Sequence, residues 1–205
     1  MTDPDPGEPA PGEPDAAALE AIGAVVHRPA GDPAGVLLLT HGAGGSRDSP
    51  LLVHICDEWA GRGFLALRYN LPYRRRRPKG PPSGSATADR AGVAEAIATA
   101  RALAHGPLIV GGHSYGGRLT SMAVADGAVV DGLRLFSYPL HPPGKPDRLR
   151  TEHFGSIHAP TVFTHGTRDP FGSIDELRAA ATLIPAPVEI VEITGARHDL
   201  APIYR

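Results

Sequence analysis

A serine stands among four glycines in Gly111-Gly112-His113-Ser114-Tyr115-Gly116-Gly117, directly after the apolar run Leu108-Ile109-Val110. The core of this stretch reads G-x-S-x-G. A serine hydroxyl is a weak nucleophile until a neighbouring base removes its proton, so the motif has chemical meaning only with partners. It also needs a context: a strand before it, a helix after it, and a strained turn between them that exposes the hydroxyl. The sequence supplies both flanks, "PLIV" before and "GRLTSMAVA" after. At such a turn the strand and helix crowd together. Side chains two residues before and two after the serine would collide, and glycine at 112 and 116 removes the collision. Gly111 and Gly117 receive no role from spacing alone.

Acyl-transfer chemistry at such a serine calls for an acid and then a histidine, in that chain order. His198 in "GARHDL" is the one histidine late enough, and it follows the last apolar run. Asp169 in "THGTRDPFG" follows the run "TVFTH". The pattern thus predicts Ser114 as nucleophile, His198 as general base and later acid, and Asp169 as the group that fixes the imidazole tautomer. Other acids are less well placed. Asp126 and Asp131 flank a helix end, Asp147 sits among prolines, Asp175 and Glu176 open a helix, and Asp199 adjoins His198.

The developing oxyanion needs backbone donors. One expected donor is the N–H of Tyr115. The second should come from "HGAGGSRDSP" after "VLLLT", and falls on Ala43, with Gly42 and Gly44 as alternatives. Substrate contacts are expected at this edge from His41, Gly42, Tyr69, Asn70, Tyr73 and Arg74. His41 suits loop fixing better than catalysis. The run Arg74–Arg77 has two readings, a solvated charge cluster or a recruiter of acidic substrates.

To position these residues the chain must alternate strand and helix. Strands are predicted at 24–28, 35–42, 64–70, 107–112, 133–140, 160–166 and 188–195. Helices are predicted at 50–63, 87–106, 115–127 and 173–184. Pro50 suits a first helical turn, and Gly61 or Gly63 a helix end. Thr87 or Asp89 is a plausible cap for the second helix. Ser173 and Glu176 form a capping box for the last. Residues 71–86 read as a loop by composition. Alternation of this kind implies a mostly parallel sheet with helices on both faces, and an active site at the carboxyl ends of the strands.

Length and composition agree. A chain of 205 residues suits one domain with a substantial core. The net charge of −2 gives no global signal for nucleic acid. The single cysteine, Cys56, excludes an internal disulfide and fits a reducing compartment. No apolar run approaches a membrane span and no secretory signal pattern opens the chain, so a cytoplasmic protein is expected. Residues 1–15 are proline, glycine and acid, too polar to offset their ordering entropy. They are expected to form a disordered tail ahead of one domain over 16–205. No Cys/His cluster has metal-ligand spacing and no phosphate-binding glycine loop is present, so neither metal nor cofactor is expected.

"THGAGG", "GGHSYGGR", "HGTRDPFG" and "GARHDL" resemble, in order, the oxyanion loop, nucleophile elbow, acid loop and histidine loop of the α/β-hydrolase superfamily. The similarity spans about residues 24–200 and is nearest to its small dienelactone-hydrolase-like branch. "RYNLPYRRRRPKGPP" also resembles the group containing a testis-expressed hydrolase-like protein and a regulatory subunit of the NSL acetyltransferase complex. The resemblance implies an eight-stranded sheet and cofactor-free hydrolysis of a small carboxylic ester or thioester. It also keeps open a catalytically silent scaffold, because some members of the group act as scaffolds. A short segment before "GVLLLT" implies reduced antiparallel edge strands. The few residues after His198 imply a curtailed final helix, and no insertion is long enough for a lid domain.

Overall fold

The computed structural model describes residues 16–83 and 85–205; the tail expected at 1–15 lies outside them. After a short helix α1 (Ala16–Ala21), strand β1 (Ala24–His27) leads to β2 (Gly35–Thr40), helix α2 (Pro50–Gly61) and β3 (Phe64–Tyr69). A short helix α3 (Pro72–Arg76) and the long α4 (Thr87–Leu103) precede β4 (Leu108–His113) and α5 (Ser114–Ala125). Then come β5 (Gly132–Phe136), β6 (Thr161–Gly166), α6 (Ile174–Ala181) and β7 (Val188–Ile193). Short 3₁₀ turns lie at Phe154–Ser156 and Ala201–Ile203.

The seven strands form one sheet in the order β1-β3-β2-β4-β5-β6-β7. Only β1 runs antiparallel, against β3. The family resemblance implied eight strands; with a single antiparallel edge strand the described sheet has seven, as the short segment before β2 suggested. β2 is "GVLLLT", buried at every position, because both of its faces are covered. Its alternate residues feed two cores. Val36 and Leu38 join the side chains of α4 and α5, while Leu37 and Leu39 join Leu52, Ile55 and Cys56 of α2 with Leu200 near the C-terminus. No helix among the described residues is long and apolar enough to cross a membrane.

Two local expectations differ. Residues 72–76, read as loop, form α3, because Pro72 sits at a first helical position where its missing N–H costs nothing. Helix α4 is flanked by Ala86 with no side-chain cap, and Asp89 turns inward instead. The box at α6 is formed as expected: Ser173 Oγ accepts from the Glu176 amide, and the Glu176 carboxylate accepts from the Ser173 amide.

The sheet's direction of growth reverses between neighbours β2 and β4. From β2 the chain passes to β3 on one side; from β4 it passes to β5 on the other. The loops leaving β2 and β4 therefore diverge, and a crevice opens between them at the carboxyl ends. Thr40 pairs with Gly112 across these strands, so "HGAGG" and the Ser114 turn begin side by side.

Candidate active site

Ser114 begins α5 at φ +49°, a left-handed conformation rare for a side chain with a Cβ. The close approaches around it account for all four glycines. A Cβ on Gly112 would lie 2.7 Å from Thr40 O, and one on Gly116 2.4 Å from His41 O. On Gly111 it would meet Arg134 O at 2.0 Å, and on Gly117 it would meet Gly112 O at 2.6 Å. The outer two, left without a role by spacing, are required by the packing of β4 on β5 and of the helix on its own strand.

Three distant segments converge on this turn. His198 Nε2 lies 2.8 Å from Ser114 Oγ. His198 Nδ1 lies 2.8 Å from Asp169 Oδ2 and 3.0 Å from Oδ1. With the proton on Nδ1, the imidazole donates to the carboxylate and presents a lone pair to the serine hydroxyl. Burial opposes ionisation of Asp169, but hydrogen bonding and charge from His198, with a bond from the Phe171 amide, hold its carboxyl below the usual range. The Asp169 side chain is fully buried, while that of His198 stays 24% exposed, open to a substrate.

Further residues, not singled out by sequence reasoning, hold this arrangement. His113 Nε2–H donates to the His198 carbonyl at 2.7 Å, tying the histidine loop to the strand that carries the serine. Chiefly through burial its pKa falls to about 4, so the ring is neutral at pH 7. Phe171 stacks on the His198 ring with centroids 4.2 Å apart. His165, fully buried four residues before Asp169 at the end of β6, donates from Nε2 to Gly172 O at 2.9 Å. The only sequence signal for them is adjacency: His113 is an x position of G-x-S-x-G, and Phe171 follows Asp169-Pro170.

The cleft beside Ser114 has a volume of about 370 Å³. Gly42, Ala43 and Gly44 form one wall, Leu51 and Leu52 of α2 an apolar side, and Phe171 and Tyr204 the rim. The backbone N–H groups of Ala43 and Tyr115 have no acceptor among the described residues. Among the described residues, neither Arg nor Lys lines the cleft. A groove of similar size, about 390 Å³, between α4 and α5 is lined by Arg90, Arg101 and Asp126 and holds no nucleophile–base pair. Among the described residues no three His, Cys, Asp or Glu side chains cluster as metal ligands.

Of the expected substrate contacts, Gly42 lines the cleft and the other five face the protein. Tyr69 is buried in the α4/α5-side core. His41 is wholly buried, donates from Nδ1 to Gly42 O at 2.8 Å and accepts at Nε2 from the Leu71 amide at 3.2 Å. Burial lowers its pKa to about 4. Asn70 Oδ1 accepts from the Arg47 amide at 2.8 Å. Tyr73 Oη donates to Ala43 O at 2.7 Å, with Gly42 O 3.3 Å away. Arg74 is 5% exposed and donates to the carbonyls of Gly45, Arg77 and Gly80. His41, Asn70, Tyr73 and Arg74 hold the loop after β2 by its backbone. The physical reason is burial: polar groups turned inward here find main-chain partners in that loop.

The fold agrees with the comparisons. Residues 33–205 match the model of an alpha/beta hydrolase domain, and the chain belongs to that family. It superposes on an alpha-beta serine hydrolase homologue from Coxiella burnetii with a TM-score of 0.73 at 16% identity, covering 88% of this chain and 85% of that one. Est1E from Butyrivibrio proteoclasticus, solved with ferulic acid bound, gives 0.73 at 15% identity, covering 88% and 90%. A dienelactone hydrolase from Anabaena variabilis gives 0.67 at 21% identity, covering 86% and 82%.

Proposed function

We propose that this chain is a serine hydrolase that cleaves a small carboxylic ester or thioester through an acyl-enzyme. Ser114 Oγ attacks the acyl carbonyl as its proton passes to His198 Nε2. Asp169 stabilises the imidazolium. The amides of Tyr115 and Ala43 take the oxyanion, each donor contributing on the order of 3 kcal/mol to the transition state. Collapse expels the alcohol or thiol with the proton from Nε2, and water repeats the sequence to release the acid. The observation that carries this reading is the continuous hydrogen-bond line from Ser114 Oγ through His198 to the buried Asp169.

A cleft of about 370 Å³ suits a small acyl group. Its apolar side and lack of cationic side chains favour neutral acyl chains over acidic ones. The activities named for two structural relatives, a serine hydrolase homologue and a dienelactone hydrolase, lie in the same reaction class. The reading includes a cytoplasmic setting, in keeping with the lone buried thiol of Cys56. A fluorophosphonate probe tests it: wild type should be labelled and Ser114→Ala should not. Absence of labelling in wild type, or equal labelling of both, rejects it.

A further inference from the structure

The carboxylate of Asp89 sits 3% exposed on the first turn of α4, far in sequence from every residue proposed to act on substrate. Its Oδ1 accepts from the Tyr73 amide at 2.9 Å. Its Oδ2 accepts from Tyr115 Oη at 3.1 Å. Tyr73 in turn donates to Ala43 O. One buried carboxylate thereby links the two residues whose amides would form the oxyanion hole, from two loops on neighbouring strands. The rings fill the space between: His41 meets Tyr73 edge-on at 5.7 Å, and Tyr73 meets Tyr115 at 6.2 Å.

The linkage acts on the donors through peptide geometry. A trans peptide points its C=O and N–H in opposite directions. The Gly42 carbonyl shares its peptide unit with the Ala43 N–H. That carbonyl receives His41 Nδ1–H at 2.8 Å and the Gly45 amide at 3.0 Å, with Tyr73 Oη at 3.3 Å. Fixing the carbonyl fixes the opposite aim of the Ala43 N–H. Tyr73 can do this only while its backbone is held, and the Tyr73 amide lies in the first turn of α3, where helix geometry offers no partner. Asp89 supplies one. Gly92, one turn later on α4, allows the contact: a Cβ there would meet Pro72 Cγ at 2.3 Å.

We infer that Asp89 is a positioning residue that sets the Ala43 donor against the Tyr115 donor, acting through Tyr73 and the Tyr115 hydroxyl. The inference rests on the serine-hydrolase reading above. Asp89→Ala should lower kcat for p-nitrophenyl acetate about 10–100-fold, since a whole oxyanion donor is worth about 10²–10³, with KM changed less than about twofold. Asp89→Asn should recover most of the loss. Its Oδ1 can accept from the Tyr73 amide while its Nδ2 donates to Tyr115 Oη. Tyr73→Phe and Tyr115→Phe each remove one hydroxyl and should each lower kcat about tenfold, in the same sense.

The discriminating readout is inhibition by a short-chain trifluoromethyl ketone, whose adduct with Ser114 carries an oxyanion. Its Ki should rise across the variants by the same fold as kcat/KM falls. A merely structural role would lower the melting temperature and leave Ki and kcat per folded molecule unchanged, which would overturn the inference. If Asp89→Ala does not fold, the two Phe variants decide, and wild-type kcat and Ki in both overturn it. A wild type that hydrolyses the ester with an indifferent Asp89 sinks this inference alone. A wild type that neither hydrolyses nor is labelled sinks the underlying reading and this one with it.

Discussion

Adding one methyl group at Gly116 should be among the most damaging single changes available to this fold. The new Cβ would lie 2.4 Å from His41 O and 2.6 Å from Thr40 Cγ2. Ordinary contact begins near 3.4 Å, so roughly 1 Å must be found on two sides at once. Neither neighbour can yield easily. Thr40 is the last residue of central strand β2, paired on both sides, and His41 is wholly buried and bonded at both ring nitrogens. Overpacking of this kind costs about 1–3 kcal/mol, and one backbone and one side-chain clash together place Gly116→Ala at the upper end. The relaxation must separate β2 from α5, which carries Ala43 away from Ser114. A displacement near 1 Å between reacting groups can cost about 10²-fold in rate. The assay is kcat/KM on p-nitrophenyl acetate, with the urea midpoint measured on the same preparations. Gly61→Ala is the control: it ends α2, meets nothing within 4 Å, and should leave activity unchanged. The reasoning is refuted if Gly116→Ala keeps more than about a third of wild-type kcat/KM and an unchanged midpoint, since no ~1 Å separation would then have occurred.

Two further outcomes are expected. Stability should fall as the pH drops from about 6.5 to about 4, because burial lowers the pKa of His41, His113 and His153 to about 4 while the unfolded chain takes up those protons near 6.5. The unfolded state binds more protons in that window, so each histidine contributes a slope of at most about 1.4 kcal/mol per pH unit, or about 3 kcal/mol in all for the fully buried His41. The pH dependence of the urea midpoint checks this, and a flat profile from pH 7 to 4.5 would contradict it. The arginine run should divide in two: Arg74→Ala should lower stability by about 1–3 kcal/mol through unpaired loop carbonyls, with kcat reduced. Changing exposed Arg75, Arg76 and Arg77 together to Gln should leave kcat/KM within about twofold for neutral and acidic acyl esters alike, and selective loss on acidic esters would restore the recruitment reading of that run.

The sequence makes strand-end chemistry legible because backbone constraints leave marks in residue type. Continuous apolar "VLLL" has the pattern of a strand covered on both faces, and glycines flanking Ser114 signal a close approach before any coordinate is seen. Asp169 and His198 follow the same logic, each coming just after a run that must be a strand. What sequence hides is the direction in which a polar side chain turns. Asp89 has the composition and position of a helix cap, yet its carboxylate reaches Tyr73 and Tyr115, since the surface that α4 buries is set by the packing of Gly92 on Pro72. α3 was hidden for a related reason, because prolines and arginines read as loop until tertiary contacts hold them in a turn.

Four of the residues that looked like substrate contacts, His41, Asn70, Tyr73 and Arg74, bond the loop after β2 instead, and one physical constraint accounts for them. A glycine-rich loop that offers N–H groups to a substrate must turn the opposed carbonyls toward the protein. Carbonyls buried there without donors would each cost about 1–3 kcal/mol. The segment leaving β3, the strand beside β2, is the nearest source of donors. Tyr73 serves Ala43 and Arg74 serves Gly45, with His41 on Gly42 from the loop itself. Donor chemistry next to an oxyanion loop therefore has two possible clients, the substrate and the back of the loop. Composition cannot separate them, but burial can: an arginine 5% exposed, with Nε, Nη1 and Nη2 each on a backbone carbonyl, is turned away from an anion entering from solvent. A loop after β2 that aims amides outward thus implies a buried donor set behind it, and Asp89 is where that set is anchored to the rest of the fold.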